Sequence, residues 1–240
     1  MTLSNKEKQK IINYFLITQG LKIQEVLEYQ EFLLLPPYGA ILKDKPYQDQ
    51  TVSTSLELES TTKTADISPF QNLTQLTRLH IFDNLITDIS PLQNLTQLTE
   101  LFIWNNYIED ISPLQNLTQL TRLDLYRNKI TDISPLQNLT NLTELSFYDN
   151  IISDISPLQN LTQLTLLELR NNKITDISPL QNLTQLTKLS LSHNYIEDIS
   201  PLQNLTNLTK LELLNNPNIP KSQIEYLKKA LPNCRIYYDE

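Results

Sequence analysis

The sequence predicts an α/β solenoid in which one short strand per coil stacks into a single parallel sheet. Three observations carry this expectation. The block DISPLQNLTQLT returns with its Asp at 66, 88, 110, 132, 154, 176 and 198, a spacing of 22 residues each time. Self-similarity at such a period is the signature of stacked repeats. Leu or Ile recurs at fixed places in every unit, in the first at Leu73, Leu76, Leu79, Ile81, Ile86 and Ile89, with Phe147 as a bulkier substitute later. Between the near-identical blocks lie segments that change from copy to copy, such as RLHIFDNLIT, ELFIWNNYIE and ELSFYDNIIS. The repeated part reads as scaffold and the varied part as working surface.

Each element of the unit follows from its residues. The run LxL at 79–81 has strand period, which turns 79 and 81 inward and 80 and 82 outward. Asn84 and its equivalents at 106, 128, 150, 172, 194 and 216 follow every strand. An Asn amide can bond both N–H and C=O groups of nearby backbone, so a buried Asn ladder satisfies the turn. Ser90-Pro91 reads as a helix start, with Ser as N-cap and Pro at the first position. The LQNL that follows is long enough for one 3-10 or α turn.

These residues carry a resemblance. The pattern LxxLxLxxNxIxDISPLxxLTxL over 66–217 resembles the 22-residue leucine-rich repeat in the version typical of bacterial internalins. The resemblance implies a right-handed arc with the parallel sheet on its concave side, short turns on its convex side and a role in protein recognition. Internalins are exported and usually carry a surface-attachment region, and neither feature is visible in this sequence. Fold and binding mode are therefore the expectations it transfers.

The flanks read as caps. Ser4 and Glu7 have capping-box spacing ahead of Ile11, Ile12, Phe15 and Leu16, which predicts a helix over 4–19. A second helix is expected over about 21–34, ending before Pro36-Pro37. Leu56 and Leu58 match the LxL strand loosely, so SLELES is expected as a degenerate first strand. After Asn216 the frame slips by one residue. KSQIEYLKKAL then predicts a helix with Ile224, Leu227 and Leu231 on one face, followed by a strand CRIYY. The expected organisation is an N-terminal helical cap over 1–65, seven repeats over 66–217 and a C-terminal cap over 218–240. Terminal elements of this kind cover the open ends of a solenoid.

Composition excludes several functions. With only two glycines in 240 residues, neither a GxGxxG nor a P-loop phosphate cradle can be written. The single cysteine, Cys234, rules out an internal disulfide and a cysteine zinc cluster. The net charge of −8 lies in the repeats. Seven of the acids there are the Asp of DISP, so the acidity belongs to the scaffold. A nucleic-acid footprint would need a basic stripe instead. No run approaches the 18 apolar residues of a membrane span, and the charged N-terminus lacks a signal-peptide segment. A cytoplasmic, membrane-free monomer without cofactor or small-molecule substrate is the expectation.

The outward positions, equivalent to 78, 80, 82 and 83 with 85 on the rim, hold the candidate binding residues. In the column of 82 stand Phe82, Trp104, Tyr126, Tyr148, Arg170, Ser192 and Leu214, and Phe102 and Tyr107 widen the aromatic patch. Trp, Tyr and Arg dominate binding hot spots, and a contiguous exposed apolar area marks an interaction surface. Cross-strand stacking that merely stabilises the sheet is the competing reading. Charges of both signs surround the rings, and His80, Arg78, Arg122, Asp124, Glu144, Glu168 and Arg170 complete the candidate partner-binding set. A balanced surface of this kind suits a protein partner. Seven strands at about 4.8 Å make a sheet roughly 34 Å wide, enough for the ~800 Å² that a standard interface hides per partner.

Metal binding and catalysis find no such pattern. The Asp ladder places one acid per coil, without the clustered spacing of a calcium loop, so turn and cap duty is expected of it. Asn-Leu-Thr occurs nine times, but within the scaffold block, where Leu and Thr have structural roles. His80 and His193 stand five units apart, and Cys234 has no evident base. The carboxylates are repeat equivalents, with no asymmetry to separate acid from base. A non-catalytic protein-binding module is the resulting expectation, and a structural or self-associating scaffold is the alternative.

Overall fold

A computed structural model describes residues 40–41, 55–59 and 65–239. The expected helices over 4–19 and 21–34 lie outside the described residues. Ten strands form one sheet in sequence order: β1 Ala40–Ile41, β2 Ser55–Glu59, β3 Arg78–Phe82, β4 Glu100–Trp104, β5 Arg122–Asp124, β6 Glu144–Ser146, β7 Leu166–Glu168, β8 Lys188–Ser190, β9 Lys210–Glu212 and β10 Arg235–Tyr237. β1 pairs antiparallel with β2, and every later pair is parallel. The register is 22 residues per step, as in Leu79↔Leu101 and Leu101↔Leu123. SLELES is β2, with Leu56 opposite Leu79 and Leu58 opposite Ile81.

The side away from the sheet consists of 3-10 turns, such as Ser90–Leu92, Ser112–Leu114 and Ser134–Leu136. Leu and Ile from strand and turn meet between them. In the second coil Ile89, Leu92, Leu95, Leu98, Leu101, Ile103 and Ile108 are each at most 1% exposed. Burying each such side chain is worth about 1.5–3 kcal/mol.

Polar ladders lock coil to coil. Asn128 donates from Nδ2 to Ile103 O at 2.8 Å and Leu125 O at 3.0 Å, and its Oδ1 accepts from Ile108 N at 3.1 Å. The pattern repeats at Asn172 and Asn194. The hydroxyls of the Thr residues that precede β4 to β9 donate to the equivalent carbonyl one coil earlier, as from Thr121 to Thr99 O at 3.0 Å. Where Asn replaces Gln in the block, its shorter amide donates to the preceding coil, Asn141 to Thr118 O at 2.9 Å and Asn207 to Thr184 O at 2.8 Å.

The turn start corrects one expectation. Ser90 is the first residue of the turn, not its cap; Ile89 holds the cap position and offers no side-chain bond. The side chain that bonds the turn start is that of Asp88, one residue before the cap position: its Oδ1 accepts from Ser90 N at 2.8 Å and its Oδ2 accepts from Ser90 Oγ at 3.0 Å. An Asx turn of this kind needs a carboxylate two residues upstream, which is what the repeated Asp supplies. At Asp154 the two bonds from Ser156 hold the carboxyl below its ordinary range.

The helix expected after the repeats is α1, Lys221–Ala230, and it buries Ile224 and Leu227. Gln223 Oε1 accepts from Ile199 N at 2.8 Å, which ties α1 to the last coil. β10 completes the sheet through Arg235 N to Thr209 O at 2.9 Å and Leu213 N to Tyr237 O at 2.7 Å. Cys234, partly buried just before β10, has its thiol pushed up to about 11 by burial. Only the thiolate attacks disulfide reagents. Reaction with such a reagent at pH 8 should therefore be on the order of 100-fold slower in the folded chain than in urea. Equal rates would show the thiol to be unshielded.

Candidate functional site

Strand alternation decides what faces outward. β3 and β4 bury Leu79, Ile81, Leu101 and Ile103 and leave the residues between them half-exposed. After each of β3 to β9 the chain turns through a left-handed residue: Asp83, Asn105, Arg127, Asp149, Asn171, His193 and Asn215 have φ between 52° and 61°. Asn and Asp tolerate this region, and they hold five of the seven positions. That enrichment is a signal the sequence carried, although residue 83 and its equivalents were read only as outward-facing. Neighbours in this row bond to each other, Asn171 Nδ2 donating to Asp149 Oδ1 at 2.6 Å and Asn105 Nδ2 to Asp83 Oδ1.

The fixed 22-residue register then stacks the variable side chains. Phe82 and Trp104 are parallel at 4.6 Å, and Tyr126 and Tyr148 at 4.7 Å. Between the pairs, Trp104 and Tyr126 are 6.3 Å apart and tilted by 37°. Arg170 ends the column with its guanidinium 5.4 Å from the Tyr148 ring centre. Faces of the rings are thus turned toward each other, and their edges toward solvent.

A second row runs beside the first. His80 stacks on Phe102 at 4.5 Å, and its Nε2 meets Glu100 Oε1 at 2.5 Å. Arg122 lies 5.1 Å from the Phe102 ring centre and bridges Glu100 at 2.6 Å and Glu144 at 2.9 Å. Asp124 accepts from Tyr126 N at 3.0 Å, and burial pushes its carboxyl up from the ordinary value. Arg78 is exposed at the start of β3. Tyr107 stands apart on the rim, 42% exposed, with Lys129 Nζ 5.1 Å from its ring centre. Arg127, expected among the charges around the rings, lies 5.1 Å from the Tyr126 ring centre and pairs with Asp149 at 3.2 Å, whereas Lys129 is a cation that the sequence pattern did not single out. Only the register shows that Lys129 reaches a ring one coil away, Tyr107, and Arg127 an acid one coil away, Asp149.

Beyond the fourth repeat the surface changes. Ser192, expected to face solvent in the column of Phe82, is only 2% exposed, and its Oγ has no hydrogen-bond partner among the described residues. A side chain this short sinks between its longer neighbours in the column, Arg170 and Leu214. Ser190 is equally buried but donates to Glu212 Oε2 at 2.8 Å. Removing an unsatisfied buried hydroxyl relieves its desolvation cost. Ser192→Ala should therefore raise folding stability by about 1 kcal/mol in urea titration, and a loss of that size would mean that Oγ has a partner.

Glu168, beside Ser190, has its carboxyl pushed up by burial and then by the nearby Glu212. A folded-state value above the unfolded one favours the protonated form. Its contribution is present at low pH and lost as pH rises through the folded value. Glu168→Gln should therefore be more stable than wild type at neutral pH, with the gap closing as the pH falls toward the ordinary glutamate range. A constant gap across that window would refute the assignment.

Two polar depressions of about 430 and 310 Å³ lie between consecutive turns on the opposite side. Their carboxylates, among them Asp132 and Asp154, are engaged with Ser134 and Ser156. Among the described residues no three His, Cys, Asp or Glu side chains gather as a metal site needs, and no helix is long and apolar enough to cross a membrane.

With this geometry in hand, comparisons place the chain among known proteins. A family profile described as Leucine Rich repeats (2 copies) matches residues 96–138, 140–182 and 184–229, more than half of the chain. An internalin, InlF, of Listeria monocytogenes is 41% identical over 74% of this chain and 52% of its own, with a TM-score of 0.69. Internalin C2 of the same organism is 37% identical over 78% of this chain and 80% of its own, with a TM-score of 0.73. A leucine-rich-repeat protein of Leptospira interrogans is 27% identical over 76% of this chain and 48% of its own, with a TM-score of 0.71. The chain thus spans about half the length of InlF and of the Leptospira protein. No curated protein sequence matches significantly. A 22-residue register, a parallel sheet opposed by 3-10 turns and these matches together make the chain a member of the leucine-rich-repeat family, of the bacterial internalin-like kind.

Proposed function

We propose that this chain is a non-catalytic protein-binding module that recognises one protein partner through the concave sheet face. The observation that carries this reading is the column Phe82, Trp104, Tyr126 and Tyr148, four rings held by the register on a solvent-facing surface. Aromatic side chains fixed by their neighbours present large amphipathic area at little further entropic cost, which is the physics of a hot spot. The flanking row of His80, Phe102, Arg122, Asp124 and Glu144, with Arg78, Tyr107, Glu168 and Arg170, supplies the polar rim.

The mixed charges of that rim favour a protein surface over a phosphate backbone. Residues 1–65 and 218–240 act as caps in this reading, and the chain works as a monomer. Its test is the double variant Trp104→Ala with Tyr126→Ala. Partner binding by the wild type, and its loss in the folded variant, is the expected result. Undiminished binding by the variant would remove the site from the concave face. The structural alternative, self-association, has its own readout. A concentration-dependent oligomer seen by light scattering, and lost with the same two substitutions, would favour it.

A further inference from the structure

We propose that the end of the aromatic column, at Arg170 and Ser192, is a carboxylate-binding subsite that takes an aspartate or glutamate side chain of the protein partner. The proposal rests on the concave-face reading above and adds the chemistry of one contact. Each arginine in the middle of that face has an acid of its own, since Arg122 bridges Glu100 and Glu144 and Arg127 pairs with Asp149. Arg170 makes no ion-pair contact among the described residues, although Glu168 and Glu212 lie within its electrostatic reach. Its guanidinium lies over Tyr148, and its one hydrogen-bond contact is Nη2 to His193 Nε2 at 3.4 Å. Arginine only donates, so His193 Nε2 is the acceptor there. Asn215 Nδ2 reaches the same nitrogen at 3.2 Å.

Next to Arg170 in the same column is Ser192, with the only buried side-chain N or O atom lacking a partner among the described residues. Its neighbour Ser190 shows that a serine on this strand can be satisfied from within, by Glu212. The orphan hydroxyl is therefore specific to this spot. A cation without an ion pair and an unused O–H stand on neighbouring coils, whose backbones run about 4.8 Å apart across a sheet, and together offer donors to the two oxygens of one carboxylate. Arg170 is exposed and held by a long contact, and the proposal requires its side chain to turn so that a carboxylate reaches Oγ.

The surroundings limit the charge of the ligand. Glu168 and Glu212 lie two residues before Arg170 and Leu214, in the row of Ser190, and Glu212 is neutralised by Lys210 at 2.6 Å. Glu168 remains, so a single carboxylate fits better than a phosphate dianion. Lys188, on the same strand as Ser190, is four residues from Ser192 and thus about 13 Å away along the extended chain. It cannot share this ligand.

The test uses the isotope-labelled full chain and a small probe, N-acetyl-aspartate N-methylamide, followed by amide chemical shifts. Saturable shifts at Ser192 and His193 are expected, at least tenfold weaker with the asparagine analogue. Arg170→Gln should abolish them, Ser192→Ala should weaken them roughly three- to tenfold, and Lys188→Gln should leave them unchanged. Equal response to the asparagine analogue, tighter binding of a phosphoserine analogue, persistence in Arg170→Gln, or no saturable shift would each overturn the proposal. The same titration on Trp104→Ala with Tyr126→Ala should be unaltered, so failure of this subsite is distinguishable from failure of the aromatic site.

Discussion

Asn128→Ala is expected to destabilise the chain by about 3–5 kcal/mol, the largest folding effect of any single substitution proposed. Asn128 is 8% exposed and serves two coils at once. Its Nδ2 satisfies Ile103 O and Leu125 O, and its Oδ1 satisfies Ile108 N. Alanine takes these side-chain partners from Ile103 O and Ile108 N in the buried seam, at about 1–3 kcal/mol each, while Leu125 O keeps the bond from Asn150 Nδ2 at 3.0 Å. Stability in a solenoid is carried by nearest-neighbour contacts, so the damage falls on the seam between the second and third coils and should also reduce cooperativity. Asn116→Ala, exposed on the turn side, should change stability by less than about 0.5 kcal/mol. Urea midpoints decide the matter. Coincident curves for Asn128→Ala and wild type would mean that the ladder does not hold the coils together.

The largest effect on binding is expected from Trp104→Ala with Tyr126→Ala. Central aromatic anchors commonly contribute about 2 kcal/mol or more each. Their joint removal should weaken partner binding by at least 100-fold, since 1.4 kcal/mol is tenfold. These two rings form the tilted step of the column, 6.3 Å apart, and each stacks closely on its outer neighbour. The variant therefore empties the centre of the patch and strands Phe82 and Tyr148 at its ends. Folding should suffer less, because both rings are half-exposed and stacking contributes about 0.5–1.5 kcal/mol per pair beyond burial. Circular dichroism on the same samples separates lost binding from lost structure.

The same residues show how far a sequence reaches. Leu79, Leu101 and Leu123 announce an inward column by their spacing alone, because a hydrophobic period is a property of the chain. The identity of the outward column from Phe82 to Tyr148 follows from that period, so the composition of the candidate site was legible as well. The cap was misassigned because Ser-Pro has a strong prior as a helix start. Only the turn geometry shows Asp88 reaching Ser90 first.

The sequence by itself determined the repeat, its period, the faces of each strand and the membership of the aromatic column, all of which depend on local chemistry at fixed intervals. The tertiary structure decided what those side chains do to one another. Among the described residues it pairs Arg122 and Arg127 with acids and leaves Arg170 without an ion pair, and it buries the Ser192 side chain. Such differences arise from packing between coils 22 residues apart. No window of sequence contains the distances, and a position of one repeat grammar can therefore be exposed in one coil and buried in the next.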